Sequence, residues 1–308
     1  MTNLSALILD AGHDPSARGR FAPSPTGRMH LGNIAAALMS YLSVKAKGGR
    51  WILRIEDIDP QRSKQRYADT LMDDLLWLGL QWDEGPYYQS QHYDIYEEHL
   101  AKLCQRGLIY PCRCTRAELM ATQAPHESDG HIVYSGRCRP DRLMHGSIPC
   151  GETLRLMVPP YPGWESESAV NGTVTFTDQL RGAQTVSLCE HCGDFVVKRR
   201  DGAWAYQFAV AVDDALMGVT EVVRGEDLLL STAEQLYVMR QLGLSQPQHY
   251  IHFPLIRNSD GIRLSKRDQS LSMETLRQTH TPAEVLTEAL QAAHLDPAAF
   301  TTLLPQLH

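Results

Sequence analysis

The chain has 308 residues, 43% hydrophobic and 21% charged, a composition typical of a globular protein with a substantial core. Its net charge of −7 excludes a protein that coats nucleic acid by bulk charge, while leaving room for a local basic groove. No stretch reaches the roughly 20 apolar residues of a membrane span, the N-terminus lacks a signal peptide's positive region, and seven cysteines argue against a disulfide framework, so a cytoplasmic protein with reduced or metal-bound thiols is expected.

In chain order, residues 1–18 are expected to form a flexible extension. Residues 19–23 follow as a short strand that runs into the loop "RFAPSPTGRMHLGN", Arg20–Asn33. From Leu31 the apolar positions Ile34, Ala35, Leu38 and Leu42 recur at helical spacing, and the helix is expected to stop near Gly48 and Gly49. "RWILRIED", Arg50–Asp57, reads as a buried strand ending in carboxylates. "YADTLMDDLLWLGL" and "YDIYEEHLAKLCQRG" read as amphipathic helices, with Cys104 on the second predicted to be core. This alternation predicts an α/β fold with a parallel sheet and crossovers, whose first half spans 19–110. The pattern breaks over 111–185, which is rich in Cys, Pro, Gly and short β-like runs such as "TVTFTD", and this stretch is expected to be an inserted domain. "DFVVKR", "AYQFAVAVDD", "TEVVRGED", the helix "STAEQLYVMRQLG" and the strand "HYIHFPLI" form a second half over 186–255. A loop and a helical segment follow over 256–308.

Two loops carry the chemistry. A strand, a glycine-bearing turn and a helix N-terminus make an anion site, because unpaired N–H groups and the helix dipole point at one spot. In the first loop His30 can donate to a phosphate oxygen, Gly32 allows close backbone approach, and Pro23 and Pro25 hold the loop rigid. The second loop, "RNSDGIRLSKRDQS" (Arg257–Ser270), gathers Arg263, Ser265, Lys266 and Arg267; Lys266 is a mobile point charge suited to following a phosphate through a reaction. Either loop alone reads as a prolyl cap or a solvated basic surface; together they read as two halves of a triphosphate clamp.

"PSPTGRMHLGN" and "RLSKR" resemble the two signature motifs of class I aminoacyl-tRNA synthetases, and "RFAPSPTG" with "RIEDID" resembles the glutamyl branch. The resemblance implies a Rossmann-like doubly wound parallel sheet with an inserted zinc-bearing α+β domain and a short helical C-terminal segment. The glutamyl branch carries a large helical anticodon-binding region after the second motif. Here the chain ends at His308 with no room for one, so no anticodon-binding domain is expected. Truncated members of the branch activate L-glutamate with ATP and Mg²⁺ and attach it to queuosine in the anticodon of tRNA(Asp). A monomer is expected.

The resemblance places the glutamate site at Arg20, Phe21, Ala22, Pro23, Ser24, Glu56, Tyr206 and Arg224, and the ATP site at His30, Gly32, Asn33 and Lys266. These residue types suit an amino acid with two carboxylates and one ammonium, since guanidinium groups bind carboxylates, a strand-end carboxylate takes an ammonium, and a phenol donates. His30 and Lys266 are expected to stabilise the transition state of adenylate formation and not to act as nucleophiles. Which arginine takes which carboxylate stays open.

Cys112 and Cys114 in "PCRC" and Cys138 in "YSGRC" offer three thiolates, enough for one Zn²⁺ per chain with a fourth ligand. The resemblance nominates Tyr134 as that ligand; His126 and His131 between the pairs are the alternatives. "CEHC", Cys189–Cys192, has knuckle spacing but only Cys150 as a further thiol, and is expected to be a turn with incidental thiols. Three other functional readings remain: a glutamyl synthetase that charges tRNA(Glu), a simple nucleotidylyltransferase, and a non-catalytic RNA-binding paralogue. The intact His30, Lys266 and glutamate set speak against the last.

Overall fold

The computed structural model describes residues 4–121, 133–146, 151–160, 172–256, 272–304 and 307. Its elements are α1 (Leu4–Leu9), β1 (Arg18–Phe21), α2 (Leu31–Lys45), β2 (Arg50–Ile55), α3 (Gln65–Trp77), β3 (Glu84–Tyr88), α4 (Tyr93–Gln105), β4 (Ile109–Cys112), α5 (Arg116–Ala121) and β5 (Thr153–Leu156). Then come β6 (Thr173–Asp178), β7 (Gly182–Ser187), α6 (Leu188–His191), β8 (Phe195–Lys198), α7 (Tyr206–Leu216), β9 (Glu221–Gly225), α8 (Ser231–Leu242), β10 (His249–Phe253), α9 (Met273–Thr279) and α10 (Pro282–Ala292).

Seven strands form the central sheet in the order β3-β2-β1-β9-β10-β6-β7, parallel throughout except for the β6–β7 hairpin at one edge. Side chains alternate across it. Trp51, Leu53, Ile55, Val223, Ile251 and Phe253 face one core, which α2, α3, α9 and α10 complete. Ile52, Val222 and Tyr250 face the other, completed by α4, α7 and α8. The fold is therefore mixed α/β with a mostly parallel, doubly covered sheet, as the alternation predicts.

Helix α2 is buried on several sides because its Ile, Ala, Leu and Met residues lie between the sheet and α10. Helix α10 starts with a capping box, in which Thr281 and Glu284 satisfy each other's backbone N–H groups. Helix α8 ends at Gly243, whose φ of 66° is the left-handed conformation that glycine adopts without steric cost.

The structure differs from the sequence reading at three boundaries. The segment expected as a flexible extension contains α1, which packs on α2 and buries Ile8; its apolar "LSALIL" run has a core face to cover. The stretch taken as one insert divides between two sheets. Strand β5 pairs with β4 on one side and β8 on the other in a separate antiparallel sheet, whereas β6 and β7 extend the central one. Short alternating runs such as "TVTFTD" carry the same period whichever sheet they join, so pattern alone does not assign them. The segment read separately over 256–308 contributes α9 and α10 to the first core.

Candidate functional site

The chain leaves β1 toward β2 and β3 on one side, while β9 and β10 lie on the other. The order thus reverses between β1 and β9, and in open parallel sheets ligands collect at the strand C-termini beside such a reversal. A cavity of about 510 Å³ sits there. Its walls include Arg20 to Ser24, His30, Gly32 and Asn33, together with Glu56, Tyr206 and Arg224. Every residue assigned from the sequence to the glutamate and ATP sites lies on this wall, apart from Lys266, which falls outside the described residues with the rest of 257–271. Ile256, just before that stretch, lines the cavity, and Ser272, just after it, forms a β-bridge with His30.

The opening loop is held by its own carbonyls. Pro23 O accepts from Glu56 N at 3.0 Å, and Pro25 O accepts from Lys64 N at 3.0 Å, tying the loop to the residues that follow β2. At its end His30 caps α2: its Nδ1 accepts from Gly32 N at 3.1 Å, and its own N–H donates to Asn33 Oδ1 at 3.2 Å. With Nδ1 an acceptor, the proton of the neutral ring sits on Nε2, so that edge of His30 is a donor.

Beneath the cavity floor lies a network of buried charges that sequence reasoning did not single out. Arg54, fully buried in β2, donates through Nη1 to Asp214 Oδ1 at 2.6 Å and through Nη2 to Glu56 Oε1 at 3.2 Å. Its Nε lies 3.8 Å from Asp213 Oδ2. Arg20 Nε donates to Asp214 Oδ2 at 3.3 Å. Asp213 in turn accepts from Gln89 at 2.8 Å and Tyr96 at 2.7 Å, and pairs with His92 at 2.8 Å. Two signals in the sequence could have revealed this network: a lone arginine inside the buried run "WILRI", and paired aspartates closing the apolar run "FAVAVDD".

The environment tunes the groups on the wall. Burial pushes the Glu56 carboxyl up to about 7, against the pull of Arg54 and Arg20. Burial, reinforced by the Glu56 charge, pushes the Tyr206 phenol up to about 12, so it stays a donor at neutral pH. Burial works against ionised Asp214, but Arg20 and Arg54 prevail and hold it below the ordinary carboxylate value. Arg224 is also buried. Its Nε donates to His252 Nε2 at 3.0 Å, and its Nη2 donates to Thr232 Oγ1 at 2.8 Å and Leu228 O at 3.3 Å. Its Nη1 is buried with no hydrogen-bond partner among the described residues. That nitrogen can receive an anionic oxygen.

A second constellation lies by the small sheet. Cys112, Cys114 and Cys138 bring their sulfurs within 4.8 Å of one another, a group that could hold a metal ion. Cys114 and Cys138 sulfurs are 3.5 Å apart, and the Tyr134 Oη lies 3.5 Å from Cys112 Sγ and 4.0 Å from Cys114 Sγ. The Cys138 N–H donates to Tyr134 Oη at 2.7 Å, and the Arg155 guanidinium stacks 3.7 Å from the centre of the tyrosine ring. Burial pushes the Cys114 thiol up to about 11. Burial opposes ionisation of Cys138 as well, yet donation from the Arg113 backbone, Tyr134 and the other thiols brings it down to about 7. His126, His131 and Cys150 lie outside the described residues. The "CEHC" thiols turn to backbone carbonyls, Cys189 to Pro159 O and Cys192 to Leu188 O, and the Cys192 carbonyl accepts from Tyr134 N at 3.0 Å. Cys104 is buried in the second core. No helix among the described residues is long and apolar enough to cross a membrane.

Comparison with known proteins matches this architecture. Residues 16–304 match the family model of class I tRNA synthetases (E and Q), catalytic domain. The chain is 43% identical to a glutamyl-Q tRNA(Asp) synthetase of Burkholderia cenocepacia, with 93% of this chain and 90% of that protein covered. It is 42% identical to glutamate--tRNA ligase 2 of Alkalilimnicola ehrlichii, with 91% of this chain and 59% of that protein covered. Among solved structures it resembles a glutamate tRNA ligase from Elizabethkingia meningosepticum in complex with its amino acid, at a TM-score of 0.66 and 32% identity. That match covers 83% of this chain and 53% of the other, so the chain spans about half the length of that ligase. With its first loop at the sheet's reversal point and its match to the family model over nearly its whole length, the chain belongs to the class I tRNA synthetases of the E and Q type, a family of ligases.

Proposed function

We propose that the chain activates L-glutamate with ATP and passes the glutamyl group to queuosine in the anticodon of tRNA(Asp). The observation that carries the amino-acid half is the convergence of Arg20, Arg224, Glu56 and Tyr206 on one cavity, with Arg224 Nη1 buried and unpartnered among the described residues. Glutamate brings two carboxylates and one ammonium, and this wall supplies two guanidinium groups, one carboxylate and one phenol donor. Phe21, Ala22, Pro23 and Ser24 shape the wall between them. The α-carboxylate oxygen attacks the α-phosphorus of ATP, and the bond to the bridging oxygen breaks to release pyrophosphate. An RNA hydroxyl then attacks the acyl carbon, and AMP leaves. His30, Gly32 and Asn33 at the N-terminus of α2 receive the phosphates, and Lys266 follows the charge that develops on them; Mg²⁺ accompanies the ATP.

Support for this acceptor comes from a relative: the protein named for tRNA(Asp) is matched over nine-tenths of its own length. The test is incubation with ATP, labelled glutamate and one of three RNAs. Labelling of queuosine-containing tRNA(Asp), but not of unmodified tRNA(Asp) or tRNA(Glu), is the expected outcome. Labelling of tRNA(Glu) would favour the reading suggested by the Alkalilimnicola ligase, and labelling of none would sink both.

The Cys112, Cys114, Cys138 and Tyr134 set suits one zinc ion. Tetrahedral Zn²⁺ with sulfur ligands at about 2.3 Å places those sulfurs roughly 3.8 Å apart, close to the observed 3.5 Å between Cys114 and Cys138. Such an ion, when bound, supplies a structural cross-link. Cys112 closes β4, and the "YSGRC" loop is fastened to the α6 turn through Tyr134 N, so the donors come from two separate stretches. Elemental analysis is expected to give one zinc per chain, and Cys138→Ser or Cys114→Ala is expected to lose it. Two zinc ions per chain would instead implicate Cys189 and Cys192.

A further inference from the structure

Arg224 differs from the other buried arginines of the site. Arg20 and Arg54 lean on carboxylates, whereas Arg224 forms no ion pair with a carboxylate among the described residues. Neutral acceptors hold it, and they lie on adjacent elements. Arg224 on β9 is the register partner of His252 on β10, and β10 pairs with β6, whose last residue is Asp178. His252 Nδ1 lies 2.8 Å from Asp178 Oδ2, which also accepts the His252 backbone N–H at 2.9 Å. Asp178 and His252 are wholly buried, as is Thr232 on α8. With a carboxylate on one ring nitrogen, the imidazole carries its proton on Nδ1 and turns the Nε2 lone pair to Arg224 Nε.

We infer that Asp178 and His252 form a positioning relay that aims Arg224 Nη1 into the cavity while leaving its charge unquenched for a substrate carboxylate. A carboxylate at the His252 position would orient the guanidinium equally well but neutralise it; a neutral imidazole of fixed tautomer orients it and leaves the counter-charge to the ligand. Thr232 and Leu228 O complete the brace on Nη2, so the side chain meets its ligand already ordered and loses little rotamer freedom on binding. The relay runs from β6 through β10 to β9, three adjacent strands, and neither of its members lines the cavity.

This inference rests on the proposed activation of glutamate, and its test separates the two. Glutamate-dependent ATP–pyrophosphate exchange is measured for the wild type, His252→Leu, His252→Gln and Thr232→Val, with thermal unfolding in parallel. His252→Leu removes the acceptor and is expected to raise the glutamate KM by about 10- to 100-fold, with the ATP KM and the saturating rate changed by less than about threefold. Thr232→Val removes one brace and is expected to raise the glutamate KM by about fivefold to tenfold. His252→Gln restores a neutral acceptor and is expected to recover most of the loss. An unchanged glutamate KM in folded His252→Leu overturns the relay, as does a parallel loss in all parameters of every variant. Should His252→Leu fail to fold, Thr232→Val decides by the same criterion. A wild-type chain without glutamate-dependent exchange overturns the functional reading itself.

Discussion

Replacing Arg54 with methionine is expected to destabilise the fold by about 3–5 kcal/mol, the loss found when one partner of a buried ion pair is removed. The side chain is wholly buried and serves three carboxylates, on Asp214, Glu56 and Asp213. Burial alone would favour a neutral group there, but the three acids hold Arg54 above its ordinary value and so firmly charged. Methionine fills a similar volume but leaves Glu56 and Asp214 with Arg20 as the one remaining cation of the network. Lysine is not a conservative change here, because a single point charge cannot reach three acids that a planar fork spans. The sign of the pH dependence is fixed. Asp214 has a depressed folded value, so its contribution is present above the unfolded value near 3.8 and fades as pH falls. Without Arg54 the folded values of Asp214 and Glu56 rise, and the penalty grows as pH climbs from about 4 toward neutrality. Urea unfolding at pH 7.5 and at pH 4.5 checks this: the difference between variant and wild type should shrink at the lower pH. A loss below about 1 kcal/mol at pH 7.5, or one that grows in acid, would show that Arg54 does not neutralise this cluster.

That cluster also marks the limit of what the sequence discloses. The crossover pattern was legible because apolar residues repeat at 3.6 in α2 and α3 and dominate β2, broken only by Arg54 between Leu53 and Ile55, and these periods follow from which faces are covered. The first part of the cavity wall was legible because Arg20 to Asn33 form one contiguous stretch, where breakers and charges stand out against neighbouring apolar runs, whereas Glu56, Tyr206 and Arg224 came from the family resemblance. Pro23 and Pro25 now have a further role: their carbonyls receive the N–H groups of Glu56 and Lys64, so the loop is pinned where the acid enters the site. Arg54 and Asp214 stand out locally, but their pairing, like that of Asp178 with His252, was not legible, because the partners lie 2 to 194 residues apart and no local rule connects them. The two sheets shared by the 109–198 stretch escaped for a related reason: strand pairing is a long-range choice, and a six-residue alternating run fits either sheet.

The catalytic efficiency for glutamate is expected to fall about tenfold per pH unit below neutrality, and Glu56→Gln is expected to abolish that dependence. Glu56 stands at the C-terminal end of β2 with its backbone fixed by Pro23 O and one carboxylate oxygen on Arg54. Burial raises its carboxyl to about 7, so near neutral pH the free protein holds a mixture of charged and neutral forms. In the proposed glutamate site the substrate ammonium prefers the charged form, so binding is expected to draw the proton off. Above about pH 7 no proton need be displaced and the profile levels; below it each unit costs tenfold, or 1.4 kcal/mol. The amide of glutamine keeps the shape and an acceptor oxygen but loses the charge, which is expected to cost about 100-fold in efficiency at pH 8, equivalent to about 2.7 kcal/mol. Since this variant has nothing to titrate at the ammonium position, its profile should be flat between pH 5.5 and 8, and the gap to wild type should narrow toward acid. Steady-state pyrophosphate exchange at subsaturating glutamate measures both. A variant that keeps the wild-type slope would move the titrating group away from Glu56. A flat wild-type profile would instead mean that Glu56 is fully ionised before glutamate arrives, with Arg20 and Arg54 outweighing burial.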